Sequence, residues 1–303
     1  MATALRLAAH LAQSPLANPV PDLDLDAIQT EIDTLNQEIE HLKSRDEAIN
    51  FYMHRLDEEL RLAARLQQDF LPKSLPQVGG VRFHTIYRPA GYVSGDLYDV
   101  FRLDEKHVGF YVADAVGHGV PAALLTMFIK NALVTKEISG DQYRLLSPGE
   151  SLRRLNQTIV DQNLSQATFA TAVYGLIDTT TRQITFARAG HPCPLLLPAD
   201  ETQPSRELPC DGSLLGIFPD EQYANSTITL SPGDRLFIYT DGIELCYGSD
   251  LATASTRWRA EIEEHRSLSG EDLMARFTAQ LEHESGSLAP QDDLTIVLLE
   301  IGR

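Results

Sequence analysis

Aspartates at the ends of apolar strands are the residues in this sequence best suited to chemistry. Four stretches share the pattern: VSGDLYDV with Asp96 and Asp99, YVADAVGHG with Asp114, LFIYTDGIEL with Asp241, and QDDLTIVLL with Asp292 and Asp293. Each sets a carboxylate at the edge of an apolar run, beside a glycine or a second aspartate. A buried carboxylate is costly unless a cation or hydrogen-bond donors meet it. Asp96, Asp292 and Asp293 open their runs, whereas Asp114 and Asp241 close theirs. In antiparallel neighbours a start and an end share one rim, so the four stretches can converge. Converging carboxylates need cations among them, and hard oxygen donors suit Mg²⁺ or Mn²⁺. Two such ions ~4 Å apart can share a bridging water and bring its pKa towards neutrality, so that hydroxide attacks without any protein nucleophile. Each stretch alone also has a plainer reading: Asp-Gly is a common turn, and a strand-end aspartate often caps a helix.

Composition limits the partners. The 303 residues carry 25 Lys and Arg against 43 Asp and Glu, a formal charge of −18. So acidic a chain repels phosphate backbones and anionic lipid, which argues against nucleic acid and membrane as partners. No apolar run approaches the ~20 residues that span a bilayer. The three cysteines, Cys193, Cys210 and Cys246, are widely spaced and odd in number. That pattern argues against a disulfide framework and against a zinc site, and points to a reducing cytoplasm.

The elements that must position the aspartates begin at residue 81. VRFHTIYRP, GDLYDVFRL and KHVGFYVAD read as strands, and VPAALLTMFIKNALVT as an apolar helix with Pro121 in its first turn. A second helix is expected over 148–163. TFATAVYGLID, RQITFARAG and PLLLP follow as a meander, two strands flank the Pro-Gly-Asp turn at 232–234, a helix covers about 270–284, and DDLTIVLLEIG closes the chain as a strand. Adjacent strand runs with helices grouped between them predict an α+β fold with mainly antiparallel sheets.

Residues 26–71 differ from all that follow, with no Gly or Pro. A heptad register places Ile28, Ile32, Leu35, Ile39, Leu42, Asp46, Ile49, Met53, Leu56, Leu60, Ala63, Gln67 and Phe70 on one stripe. Such sustained 3.5-residue periodicity predicts a coiled coil, and Ile at a with Leu at d in the early heptads favours two parallel strands. Asp46 falls at an a position, where a polar residue can set register. The alternative is an amphipathic helix lying on its own domain. At ~1.5 Å per residue the helix would be roughly 65 Å long, and Pro72 and Pro76 would end it. The expected organisation is a flexible tail over 1–25, a coiled-coil helix over 26–72 and one domain over 73–303. The helix would run straight into that domain, leaving no room for a receiver or ligand-sensing domain.

In order, ARLQQDFLP, YRPAGYVSGDLYDV, VADAVGHGVPAAL, TFATAVYGLID, ARAGHPCPLLL, GSLLGIF, LSPGDRLFIYTDGIEL and DDLTIVLLEI resemble the SpoIIE/RsbU branch of the metal-dependent PPM protein phosphatases, over residues 64 to about 301. The resemblance implies an αββα sandwich of two antiparallel sheets, two Mn²⁺ or Mg²⁺ ions between them, and hydrolysis of phosphoserine or phosphothreonine on a protein. It implies Asp114 as the bridging ligand, the backbone carbonyl of Ala115 as a further ligand, Asp96 at the second ion, and Asp241 and Asp292 at the first. Asp293 is the less favoured member of its pair. Gly95, Gly117, Gly119 and Gly242 fit turns where a side chain would block the ions or the phosphate. By the same analogy, the substrate is a phosphorylated STAS-type anti-sigma-factor antagonist, and helix pairing into a homodimer sets activity.

Two departures stand out. Ser94-Gly95-Asp96 replaces the branch's frequent Gly-Gly-Asp, and Ile243-Glu244-Leu245 follows TDG where the branch usually has a Thr-Glu pair. The second puts the behaviour of a flap in question, expected within 247–268. His118 is a candidate general acid and Arg88 a candidate phosphate contact, whereas His191 reads as structural. The rival readings are a catalytically silent coiled-coil scaffold and a hydrolase of small phosphoesters.

Overall fold

A computed structural model describes residues 24–164, 168–247, 250–285 and 291–302. The expected tail therefore lies almost wholly outside the described residues. The chain divides into two units, Met1–Glu58 and Glu59–Arg303.

Helix α1, Leu25–Phe70, runs for 46 residues. The Asp24 carboxylate accepts from the Ala27 N–H and so caps its first turn, and the helix stops two residues before Pro72. In the first unit, the stripe residues Ile28, Ile32, Leu35, Ile39, Leu42, Ile49, Met53 and Leu56 are 38–59% exposed. Within the second unit the stripe turns inward: Ala63 is half-buried and Gln67 is buried.

The second unit is built on two five-stranded antiparallel sheets. One contains β1 (Val81–Arg88), β8 (Leu195–Leu197), β9 (Arg206–Glu207), β11 (Arg235–Tyr239) and β12 (Leu294–Ile301), in the order β1-β12-β11-β8-β9. The other contains β2 (Asp96–Arg102), β3 (His107–Ala115), β6 (Ala170–Asp178), β7 (Gln183–Ala189) and β10 (Ser226–Thr229), in the order β10-β7-β6-β3-β2. A small hairpin, β4 (Lys136–Ser139) with β5 (Gln142–Leu145), stands apart from both. The sequence reading treated PLLLP as the last strand of a meander. It instead pairs with β11 in the opposite sheet, since β7 already has β6 on one side and β10 on the other.

Strand alternation explains the layers. In β12, Val297, Leu299 and Ile301 face the inter-sheet core together with Phe83, Phe110 and Phe186. Leu294, Ile296 and Leu298 face a second cluster with Ile243, Trp258, Phe277 and Leu281, contributed by α4 (Gly242–Cys246), α5 (Leu251–Glu264) and α6 (Gly270–Ser285). The outer face of the other sheet buries Leu97, Tyr111 and Tyr174 against α2 (Val120–Ala132) and α3 (Pro148–Asp161). The result is the expected αββα sandwich. The stretch 247–268, where a flap is expected, contains α5, and its Trp258 is fully buried and stacks on Phe237 at 6.0 Å between ring centroids. Burial of that indole makes α5 part of the outer helical layer.

Candidate metal centre

The strand order puts the aspartates on one rim. Asp96 starts β2 and is the register partner of Asp114, near the end of β3. In the other sheet, Asp241 follows β11 and Asp292 precedes β12, and these two strands are antiparallel neighbours. A direct contact joins the sheets at this rim: the Thr240 hydroxyl donates to Asp96 Oδ2 at 2.8 Å.

Asp114, Ala115, Asp241, Asp292 and Asp293 line one cavity of about 570 Å³, together with Val116–Gly119 and Gln291. Its size suits a small-molecule or phosphoryl group. Among the described residues, no Lys or Arg lines it. The negative charges are therefore uncompensated, and the carboxyls respond. Burial, followed by the charges of Asp241, Asp292 and Asp293, pushes Asp114 up to about 8. Asp96 is only 1% exposed. Burial and then Asp114 hold it well above the usual carboxylate range, opposed by the Thr240 hydroxyl. Asp241 is exposed as a residue, yet crowding of its carboxyl by protein and the Asp292 charge raise it too. Such a set of crowded oxygen donors fits divalent cations. Among the described residues, three acidic or imidazole donor atoms come within 4.8 Å of one another only at Glu261, Glu264 and His265 on and beside α5. Among the described residues, no three of the cavity carboxylates bring donor atoms that close together.

The members of the Asp292–Asp293 pair do different things. Asp292 is half-buried at the cavity, and its Oδ1 accepts from the Asp293 N–H at 2.8 Å. Asp293 is 4% exposed, and each of its oxygens takes a backbone N–H: Ala90 at 2.7 Å and Gly95 at 2.6 Å.

Other expectations need correction. Asp99 does not join the cluster, because it sits three residues after Asp96 on the opposite face of β2 and is paired with Lys130 of α2. Arg88 reaches the same rim at the end of β1, but its guanidinium is held by Glu282 of α6 at 2.7 Å and does not line the cavity. His118 is exposed and lines the cavity. His191 is fully buried, bonds Thr171 at 2.7 Å, and is pushed down to about 3 by burial and then by Arg188. The four glycines divide by cause. Gly117 and Gly119 have φ of 85° and 77°, which suits a glycine-rich turn. At Gly95 a Cβ would come within 3.0 Å of the Gly117 carbonyl, and at Gly242 within 2.0 Å of the Asp293 carbonyl. The obstacle at these last two is protein backbone.

Two residues of the site were missed in the sequence. Gln67 Nε2 donates to the Ser94 carbonyl at 2.7 Å, and the Ser94 N–H donates to Gln67 Oε1 at 2.9 Å. The only signal was a polar residue on an otherwise apolar stripe. Thr240, beside Asp241, carried no signal at all.

The fold is shared with solved structures. The SiaA-PP2C domain of Pseudomonas aeruginosa superposes with a TM-score of 0.67 at 24% identity, over 82% of this chain and 97% of that one. The RsbU and RsbW domains of Rv1364c from Mycobacterium tuberculosis give 0.62 at 26% identity, over 76% of this chain and 62% of that one. By sequence the chain is 29% identical over 242 residues to the phosphoserine phosphatase RsbU of Bacillus subtilis, covering 80% of this chain and 69% of the relative. It is 27% identical over 250 residues to the phosphoserine phosphatase RsbP of the same organism, again over 80% of this chain but only 58% of the relative. Two antiparallel sheets with carboxylates converging on one rim, in the company of these relatives, define a protein serine/threonine phosphatase of PP2C fold. The family model described as Stage II sporulation protein E (SpoIIE) matches residues 104–302, and the chain belongs to that family.

Proposed function

We propose that this chain hydrolyses phosphoserine or phosphothreonine on a protein, using two Mn²⁺ or Mg²⁺ ions held by Asp96, Asp114, the Ala115 carbonyl, Asp241 and Asp292. The carrying observation is the cavity lined by Asp114, Asp241 and Asp292 with no lysine or arginine among its described lining residues. Bound divalent ions would supply a water-derived nucleophile near neutral pH and offset phosphoryl charge. The chain's own groups do the rest. The Gly117–Gly119 turn lines the cavity and leads into the N-terminus of α2, whose backbone N–H groups favour an anion. His118 is exposed and lines the same cavity, and in this reading it hands a proton to the departing side-chain oxygen.

Likeness to RsbU and RsbP supports a phosphorylated STAS-type anti-sigma-factor antagonist as substrate. The exposed Ile and Leu stripe of α1 supports a homodimer through this helix, with 26–72 as the coiled-coil segment and 73–303 as the phosphatase domain. Three free cysteines support a cytoplasmic location, and among the described residues no helix is long and apolar enough to cross a membrane.

The test is Mn²⁺-dependent release of phosphate from a phosphorylated STAS protein. Asp114→Asn and Asp241→Asn should each lower turnover by more than about 100-fold, the upper end of the loss expected for removing a mere supporting partner of a metal ligand. EDTA should stop the reaction and Mn²⁺ restore it. Wild-type turnover in either variant overturns the ligand assignment. A wild-type protein inactive on phosphoproteins supports the silent scaffold, and one active only on small phosphoesters supports the other rival.

A further inference from the structure

Asp293 is nearly the most buried acid at the rim, yet the proposed chemistry gives it no part. Its surroundings explain its presence. The loop between β1 and β2, residues 89–95, leads into Asp96, and its last three residues, Val93, Ser94 and Gly95, are buried. Asp293 meets two of these donors at once, the N–H groups of Ala90 and Gly95 at 2.7 and 2.6 Å, across about 200 residues of sequence. The peptide on the other side of Gly95 is engaged as well: its carbonyl accepts from the Ala115 N–H at 2.9 Å. On its own backbone, Asp293 donates to Asp292 Oδ1 at 2.8 Å. One residue therefore connects Asp292, the Gly95–Asp96 strand start and the Asp114–Ala115 strand end.

We infer that Asp293 is a positioning residue that sets the spacing between the carboxylates of the two sheets, and thereby the affinity of the centre for divalent cations. The inference rests on the metal-dependent reading above. Charge and shape both matter. A carboxylate offers two acceptors to two N–H groups that lie on either side of it. An asparagine offers one acceptor and an NH₂, so one backbone N–H would meet another donor. A buried donor left in that state is unfavourable, and the loop carrying Asp96 would shift to relieve it. Gly95 gives little room for such a shift, since even a Cβ there would come within 3.0 Å of the Gly117 carbonyl and 3.2 Å of the Ala115 carbonyl.

The experiment titrates Mn²⁺ into the metal-free full-length protein by calorimetry, for wild type, Asp293→Asn and Asp293→Glu. Thermal unfolding in EDTA confirms that each is folded at the temperature of titration. Loss of an outer partner of a metal ligand weakens affinity by about 10–100-fold, and that weakening is expected for Asp293→Asn. Excess Mn²⁺ should restore its kcat on a phosphoprotein with KM unchanged, and the unfolding scan in EDTA separates this from a general loss of stability, which Mn²⁺ would also offset. If Asp293→Asn shows no cooperative unfolding in EDTA, Asp293→Glu carries the test. It keeps both acceptors but is one methylene longer, so the same weakening is expected. Wild-type affinity in a folded Asp293→Asn, or in Asp293→Glu where that variant carries the test, overturns the inference alone. A wild type that takes up no Mn²⁺ overturns the proposed function together with it.

Discussion

Thr240 and Asp96 are 144 residues apart in sequence and belong to different sheets, yet the hydroxyl of one donates to the carboxylate of the other at 2.8 Å. The same hydroxyl accepts from the Thr295 N–H at 2.9 Å. Thr240 thus pins the end of β11 to the start of β12 and ties both to the start of β2. All three residues are buried.

Replacing Thr240 with valine keeps the shape and removes both bonds. The Asp96 carboxyl loses a donor and the Thr295 N–H loses an acceptor, out of reach of water. Stability should fall by about 1–3 kcal/mol, the cost of leaving a buried polar group unpaired. Thermal denaturation checks it, with Thr240→Ser, which keeps the hydroxyl, recovering most of the loss. An unchanged midpoint for Thr240→Val would mean the inter-sheet bond contributes nothing.

The metal-free protein should become less stable as pH rises. Asp114 titrates at about 8 in the folded chain, pushed up chiefly by burial, against about 3.9 for a free aspartate. Between those values the native state holds a proton that the unfolded state has released, so stability is fully present below about 4 and declines as pH climbs through 8. The slope is about 1.4 kcal/mol per pH unit for one such group. Asp96 is shifted in the same direction and adds to the trend. His191, pushed down to about 3, acts oppositely: its neutral burial opposes folding only below about 6.5. Melting in EDTA from pH 6.5 to 8.5 isolates the carboxylates. The midpoint should drop over that range, Asp114→Asn should flatten the drop, and Mn²⁺ should raise the midpoint most at the alkaline end. A metal-free midpoint that rises with pH there would contradict the crowding of the carboxylates.

The exposed stripe of α1 should be an oligomeric interface. Leu35→Lys combined with Leu42→Lys puts two charges into it at positions 51% and 55% exposed in the single chain. Light scattering should show a dimer for wild type and a monomer for the double variant, because the pairing buries both side chains. Unfolding of the second unit should be unaffected, since Glu59–Arg303 forms its own compact body. A wild-type monomer would leave α1 as a single helix.

Much of the fold was legible because its signals are local. The near-continuous apolar runs of β12 and α2 are written within each segment, as are the Pro72 stop and the heptad stripe of α1. What escaped was the small β4–β5 hairpin, the short β9, and pairing. PLLLP is a strand by composition, but nothing within it says which sheet takes it, and nothing around Trp258 says that its indole is part of the core. The site shows the same division. Strand-edge aspartates drew attention as residue types, but type alone could not separate Asp96 from Asp99, three positions later on the opposite face and neutralised by Lys130. Nor could it separate Asp292, open to the cavity, from Asp293, spent on two backbone N–H groups.

By itself, the sequence determined which side chains carry charge, where the strands that bear the aspartates run, and hence that four acidic stretches would fall at strand termini. Only the tertiary structure decided which of those carboxylates meet, because convergence depends on the order of strands in two sheets and on contacts such as Thr240 with Asp96 between them. Strand propensity is a property of neighbours along the chain. The energy of crowded charges depends on distances through space, and those exist only once the sheets have packed.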